Sequence, residues 1–158
     1  MRIAIASDHA AVEMRQHLVK FLRDHGHEVE DCGPAQGESV DYPDFAAEVA
    51  RRVANGQAGK GVLCCGSGIG MAMAANKVPG VRAAVIHSEW EAEMSRRHND
   101  ANVACFGQRQ QTPWLAERFL KVFLATEFEG GRHQRRVEKI CGLDGSAKPA
   151  QWAAGGEA

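Results

Sequence analysis

The sequence predicts an α/β fold in which a five-stranded parallel sheet is covered by helices on both faces. Short apolar runs alternate with segments of helical spacing about every 25 residues, which is the pattern of consecutive strand–helix units. The run GVLCC at 61–65 is apolar without interruption, as is typical of a strand buried on both faces of a parallel sheet.

Five segments are predicted to be strands. The first, RIAIAS, precedes an Asp-His pair and is too short to be the apolar core of a signal peptide. The second ends at a Gly-Pro pair, and the third ends at a glycine-rich loop. The predicted strands are 2–7, 27–32, 61–65, 81–87 and 101–106.

Apolar spacing and end signals predict the helices between these strands. A helix over 10–25 ends at Gly26, and a loop over 33–43 leads to a helix from about 44 to Asn55. A short alanine-rich helix follows the glycine loop.

Capping signals define the later helices. Ser88 and Glu91 form a capping box for a helix over 88–97, and Thr112 precedes a first-turn proline. A last short helix is predicted over 131–141. We therefore expect one domain over 1–142 and a flexible C-terminal tail over 143–158 that is rich in Gly, Ala and Ser.

The overall composition excludes several classes of protein. The chain has 158 residues, 25% of them charged, and a formal net charge of -1. Neither nucleic acid nor a membrane surface is expected as a partner, because both attract basic proteins. No run approaches the roughly 20 apolar residues of a membrane span.

The cysteines indicate a reducing compartment. There are five, an odd number, and no C-x-x-C pair occurs, so neither a disulfide framework nor a zinc ribbon is indicated. We expect a cytoplasmic protein. No H-x-x-x-H pair occurs, so we expect no metal, and we expect no cofactor either.

The residues at the carboxyl ends of the strands are the first candidates for a binding site, because ligands of such sheets bind there. The loop at 66–70 reads G-x-G-x-G and follows the third strand, whereas a dinucleotide fingerprint reads G-x-G-x-x-G and follows the first. A ligand-free turn is a second alternative. Three alternate glycines before a helix favour a third alternative, which is a cradle of backbone N–H groups for an anion.

Cys65 lies at the mouth of this loop. Neighbouring side chains of a strand point to opposite faces, so Cys64 is expected in the core and Cys65 near the loop. The beginning of a helix stabilises a thiolate, which makes Cys65 a candidate nucleophile or base. An inert buried thiol remains the alternative.

Other polar clusters lie at the ends of elements. Asp8 and His9 follow the first strand, where Asp8 could simply cap the next helix. Arg132 and Arg136 share one helix face, and their guanidinium groups match a phosphate. Arg109 follows the fifth strand and could add a third guanidinium group. The segment 96–100 is expected to lie away from its own pocket and to serve a neighbouring subunit.

Together these segments resemble the ribose-5-phosphate isomerase B family, which includes galactose-6-phosphate and allose-6-phosphate isomerases. The resemblance runs from residue 2 to about 141. It is carried by SDHAA (7–11), DYPDFA (41–46), CGSGIGMAMAANKVPGVRAA (65–84), SRRHNDANVACFG (95–107) and EGGRHQRR (129–136).

The resemblance implies a Rossmann-like three-layer sandwich, a homodimer or dimer of dimers, and active sites between subunits. It also implies metal-free aldose–ketose isomerisation through an enediolate, in the pentose phosphate pathway. Cys65 stands where the family has its proton-transferring base. One branch has a glutamate at the position of Met71 instead, so this chain resembles the thiol branch.

The remaining positions are assigned in the same way. His98 matches the residue that opens the furanose ring, with Asp8 assisting, and Ser67 stands where the family often has threonine. The enediolate oxygens would be held by Ser67 and the amides of Gly66, Gly68, Ile69 and Gly70. The phosphate-binding positions are His9, Arg109, Arg132 and Arg136, and the sugar-contacting ones are Tyr42 and Asn99.

The sequence does not decide which sugar phosphate is the substrate. D-ribose 5-phosphate and D-ribulose 5-phosphate are favoured, because the presence of His98 suits furanose opening. A six-carbon sugar phosphate is the first alternative, and a non-catalytic sugar-phosphate binder is the second.

Overall fold

The computed structural model describes residues 1–35 and 39–145. Its strands are β1 (Arg2–Ser7), β2 (Glu28–Asp31), β3 (Lys60–Cys65), β4 (Ala83–Val85) and β5 (Val103–Gly107). A 3-10 turn (His9–Ala11) precedes the first α-helix. The α-helices are α1 (Val12–Asp24), α2 (Tyr42–Ala54), α3 (Ile69–Ala75), α4 (Glu89–Asn99), α5 (Pro113–Ala125) and α6 (Arg132–Asp144).

The five strands form one sheet in the order β2-β1-β3-β5-β4, and every pair is parallel. Side chains on one face, including Ile5 and Phe106, pack against α1, α4 and α5. Side chains on the other face, including Leu63 and Cys105, pack against α2 and α3. The predicted parallel sheet between two helix layers is therefore confirmed.

The predicted caps are present, and they place the beginnings of the helices. The Ser88 Oγ accepts a hydrogen bond from the Glu91 N–H at 3.1 Å. The Thr112 Oγ1 accepts from the Leu115 N–H. The Glu91 carboxylate accepts from the His87 N–H at 2.6 Å, one residue before the position that the capping box predicts.

Several predicted boundaries are wrong. Strand β4 covers only 83–85 of the predicted 81–87. At its beginning, the Arg82 N–H donates to the side chain of Asn102 instead of to a strand. Helix α4 continues to Asn99 and α2 begins at Tyr42, each two residues beyond the prediction.

The C-terminal boundary also differs from the prediction. Helix α6 continues to Asp144, so Leu143 and Asp144 belong to a helix rather than to the predicted tail. The helix ends at Gly145, which has a positive φ of 73° that suits glycine. The rest of the predicted tail, 146–158, lies outside the described residues. None of the described helices is both long and apolar enough to span a lipid bilayer.

A buried cluster of charges lies near the beginning of β3 and the end of α4. The Asp100 carboxylate pairs with Arg82 at 3.1 Å and with Arg96 at 2.6 Å. Burial lowers the pKa of Lys60 to about 8, and repulsion from Arg96 and Arg82 outweighs attraction to Asp100. Folding therefore places a third cation beside two arginines that share one carboxylate.

This cluster predicts the effect of Lys60→Met. Between about pH 8 and pH 10.5 the unfolded chain holds a proton that folded Lys60 has released, so this residue makes stability rise with pH. Lys60→Met should therefore be more stable than the wild type at pH 7, by at most about 3 kcal/mol. The advantage should shrink as the pH approaches 10.

Urea unfolding of both proteins at pH 7, 8, 9 and 10 measures this difference. Comparison at each pH cancels the contributions of Cys64 and Cys105, whose thiol pKa values are raised by burial. The same substitution at Lys121, which is exposed on α5, controls for the loss of a lysine. A stability difference that is constant with pH would contradict the prediction.

Candidate active site

A cavity of about 550 Å³ lies at the carboxyl ends of β1, β3 and β5. Nine of the predicted site residues line it, and Gly68 lies in the same loop. The full lining is Asp8, His9, Ala10, Tyr42, Cys65, Gly66, Ser67, Ile69, Gly70, Arg109 and Gln110. The chain thus brings together the residues predicted from its first, third and fifth strands.

Cys65 is the last residue of β3 and faces this cavity. Its exposure is only 6%, and the Gly68 N–H donates a hydrogen bond to its sulfur at 3.0 Å. An N–H group directed at sulfur stabilises negative charge there. Cys64 is fully buried on the opposite face, and burial raises the pKa of its thiol well above the usual range. The predicted placement of Cys64 in the core and of Cys65 near the loop is therefore present.

The glycines of the loop allow neighbouring side chains to approach its backbone. A Cβ atom on Gly70 would lie 2.8 Å from the ring of Tyr42, and one on Gly66 would lie 3.3 Å from the Arg109 Nε. Two amides of the loop have partners within it, since Gly68 donates to Cys65 and the Ile69 N–H donates to the Ser67 Oγ at 3.3 Å. The loop therefore stabilises the thiol as well as offering polar groups to a ligand.

Gly107 supports the site from the end of β5, a role that the sequence did not predict for it. A Cβ atom on it would lie 2.6 Å from the Ser67 carbonyl carbon, so only glycine permits this backbone contact. The next two amides bind the same loop, since the Gln108 N–H donates to the Cys65 carbonyl and the Arg109 N–H to the Gly66 carbonyl. The end of β5 thereby fixes the loop that carries Ser67. The sequence signal for this close backbone contact is a glycine at the end of a predicted strand.

Asp8 and His9 form the wall of the cavity at the end of β1. Asp8 caps the following turn, accepting from the Ala10 N–H at 2.9 Å, and is only 9% exposed. The exposed His9 accepts from the Val40 N–H through Nδ1 at 3.4 Å. Asp8 therefore caps the turn and also lines the cavity.

The other predicted site residues form a second group away from this cavity. His98 and Asn99 end α4, and Arg132 and Arg136 begin α6, and none of the four lines the cavity around Cys65. Asn99 instead borders a cavity of about 540 Å³ between α4 and α6. This agrees with the expectation that the end of α4 lies away from its own pocket.

His133 and Glu129 belong to this second group, and the sequence reasoning gave them no role. The His133 ring stacks on that of His98, with centroids 4.1 Å apart and planes 4° apart. Burial, and then the charges of His98 and Arg132, lower the pKa of His133. The hydrogen bond from Arg97 lowers the pKa of Glu129. His133 shares an inward spacing with Val137 and Cys141, which was the available signal.

Within the described part of the chain, His98, Glu129 and His133 are the side chains whose grouping could hold a metal ion. Their ligand atoms lie within 4.8 Å of one another. The parallel rings do not direct their nitrogen lone pairs at one point, and Arg97 already binds Glu129. Since Arg132 adds a further positive charge beside His133, the group suits an anion better than a cation.

The chain matches the family model described as Ribose/Galactose Isomerase over residues 3–140. It belongs to this family. It is 41% identical to ribose-5-phosphate isomerase B of Escherichia coli strain K12 over 143 residues, which are 90% of this chain and 96% of that protein.

Solved structures of the same enzyme type share the fold. The structure of ribose-5-phosphate isomerase B from Clostridium thermocellum has a TM-score of 0.90 and 45% identity, covering 92% of this chain and 98% of that one. The type B enzyme from Trypanosoma cruzi has a TM-score of 0.88 and 47% identity, covering 92% and 99%. The Rossmann-like sandwich is therefore the fold of this chain as well.

The contact between Gly107 and Ser67 predicts the effect of Gly107→Ala. Since the new methyl group meets backbone atoms that must shift, we expect a stability loss of about 1–3 kcal/mol. Thermal and urea unfolding measure this loss. The matched control is Gly142→Ala in α6, where a Cβ meets nothing within 4 Å, and it should gain roughly 0.5–1 kcal/mol. A Gly107→Ala protein as stable as the wild type would show that the loop is not fixed there.

Proposed function

We propose that the protein is a ribose-5-phosphate isomerase, which interconverts D-ribose 5-phosphate and D-ribulose 5-phosphate through an enediolate. The observation that carries this is the Cys65 sulfur, which faces a cavity and accepts a hydrogen bond from the Gly68 amide. The family membership and the names of the relatives support the aldose–ketose isomerase activity and the substrate.

In this proposal Cys65 moves the proton. Its thiolate removes the proton from C2 of the open-chain aldose, and the resulting thiol returns it to C1, while the hydroxyl proton moves from O2 to O1 to give the ketose. Negative charge develops on the carbonyl oxygen in between. Ser67 and the loop amides lie beside the sulfur, where donors to that oxygen typically contribute about 2.7–4 kcal/mol each.

The phosphate binds at the far end of the sugar. Arg109 lies over Gly66 at the cavity wall, and the ring of His9 lies on the same wall. Arg132 and Arg136 are exposed on α6 and do not reach this cavity within one chain. We therefore propose that these two arginines bind the phosphate held by a neighbouring chain.

We assign opening of the sugar ring to the group that contains His98, at the end of α4. D-ribose 5-phosphate is mainly a furanose, so a group must take the proton of the O1 hydroxyl while another protonates the ring oxygen. His98 is assigned this role with Asp8 assisting, and Tyr42 and Asn99 contact the sugar. Since His98 and Asp8 lie in different groups, the proposal requires two chains per active site.

We therefore propose a homodimer, or a dimer of dimers, in which α4 and α6 of one chain complete the cavity of the other. Helix α6 supports this arrangement, since its Ile140 is 40% exposed and its Leu143 is 88% exposed. The proposed route uses only side chains and backbone amides and involves no cofactor. Five free cysteines suit the cytoplasm, and we propose that location too.

The thiol is tested by Cys65→Ala. We expect a loss of turnover by about two orders of magnitude or more, because no other base faces C2, while ribose 5-phosphate still binds. A coupled assay with ribose 5-, allose 6- and galactose 6-phosphate, together with calorimetry, measures both. Cys64→Ala is the matched control and should keep its turnover.

Other outcomes of this assay discriminate the alternatives. A strong preference for a six-carbon phosphate would replace the proposed substrate. Binding by the wild type without isomerisation of any of the three would favour a non-catalytic binder.

The shared active site is tested by mixing two inactive variants. Cys65→Ala damages one group and His98→Asn the other, so a mixed dimer contains one site with both substitutions and one intact site. After unfolding and refolding together, random pairing should restore about a quarter of wild-type activity. Each variant refolded alone should stay inactive. An inactive mixture, with mixed dimers demonstrated by mass spectrometry, would place both groups in one chain.

A further inference from the structure

We propose that Asp100 is a positioning residue for ring opening, because its buried carboxylate, bound by Arg82 and Arg96, fixes the end of α4 that carries His98 and Asn99. This inference rests on the proposed function, and it adds a residue that does not itself contact the substrate.

The backbone of Asp100 adopts a conformation that only tight surroundings maintain. Its φ of 45° and ψ of 44° are left-handed, and among the described residues it is the single non-glycine residue with a positive φ. Such a conformation is strained for a residue with a side chain, and it persists where contacts enforce it. It ends α4 directly after Asn99, so it sets the direction in which the chain leaves the helix.

The contacts that enforce it come from two buried arginines. The Asp100 side chain is 2% exposed, and those of Arg82 and Arg96 are 9% and 7% exposed. The Arg82 Nε also donates to the carbonyls of Asn99 at 3.2 Å and of Asp100 at 2.9 Å. Last-turn carbonyls of α4 are thereby satisfied by a residue that precedes β4.

Arg96 connects the same carboxylate to the elements around α4. Besides Asp100 Oδ1, its guanidinium group donates to the carbonyls of Ala101 at 2.6 Å and of Thr126 at 3.2 Å. Thr126 caps the end of α5 and Ala101 leads into β5. The buried carboxylate of Asp100 therefore connects the end of α4, through Arg96, to the beginning of β5 and to the end of α5.

His98 lies two residues before this point. Its ring must be placed by α4 on one side and by the stacked His133 of α6 on the other. Displacement of a reacting group by about 1 Å can cost two orders of magnitude in rate. Loss of the Asp100 charge removes the carboxylate that the buried Arg82 and Arg96 share, which drives the α4 end to rearrange.

The test compares isomerisation of ribose 5-phosphate with exchange of the C1 proton of ribulose 5-phosphate in D2O. Ribose 5-phosphate must be opened before proton transfer, whereas ribulose 5-phosphate has its O5 esterified and is already open-chain, so its proton exchange needs no ring step. Asp100→Asn keeps the size of the side chain and tolerates the left-handed backbone, but it removes the charge. It should lower kcat for ribose 5-phosphate at least about tenfold with KM changed less than about threefold. The rate of deuterium exchange at C1 of ribulose 5-phosphate should fall much less.

Arg82→Lys is the second variant, in case Asp100→Asn does not fold. It keeps the positive charge but loses the Nε–H that the Asn99 and Asp100 carbonyls share. The same selective loss is expected, to a smaller degree. Leu120→Ala, in the fully buried part of α5, controls for general destabilisation and should affect isomerisation and C1 proton exchange equally.

The outcomes separate this inference from the proposed function. A wild type that does not isomerise ribose 5-phosphate contradicts the proposed function. With an active wild type, equal losses of isomerisation and of C1 proton exchange, or no loss, in the variant that folds by circular dichroism would overturn the role of Asp100. A loss of isomerisation with proton exchange largely kept, like that of His98→Asn, supports it.

Discussion

The candidate site depends on a contact between two pieces of backbone, Gly107 at the end of β5 and Ser67 in the glycine loop. The absence of a Cβ at Gly107 lets β5 lie against the loop, and the amides of Gln108 and Arg109 then bind the carbonyls of Cys65 and Gly66. The loop held in this way directs the Gly68 amide at the Cys65 sulfur. For the proposed thiolate base, such a preorganised donor stabilises negative charge without having to reorient during the reaction.

Much of the fold could be predicted because its signals are local. The Ser88 and Thr112 caps depend on hydrogen bonds within one turn, and the buried β3 depends on an unbroken apolar run. The wrong boundaries have distant causes. Strand β4 is shortened at its beginning by the side chain of Asn102, which lies 20 residues from Arg82 in the chain. Spacing along the chain does not contain such a contact.

The same division applies to the site. The opposite facing of Cys64 and Cys65 follows from the period of a strand, so the sequence alone separates the inert thiol from the candidate base. Gly107, by contrast, matters through a residue 40 positions earlier, and the stacking of His133 on His98 joins two different helices. Composition gives no sign of these pairs. The arginine pair at 132 and 136 was identified from helical spacing, but the sheet topology leaves it outside the cavity of its own chain.

Under the proposed function, the separation of the two groups has a chemical reason. Cys65 is the last residue of β3 and is bonded by the glycine loop, whereas His98 lies near a helix end that buried charges surround. The proposed proton transfer between C1 and C2 tolerates little movement, since one sulfur must reach both carbons. The proposed ring opening precedes it and acts on the O1 hydroxyl and on the ring oxygen, which is bonded to C4. Placing the two proposed steps on opposing surfaces of two chains would let a sugar phosphate bind between them, with cations at its phosphate end on both sides.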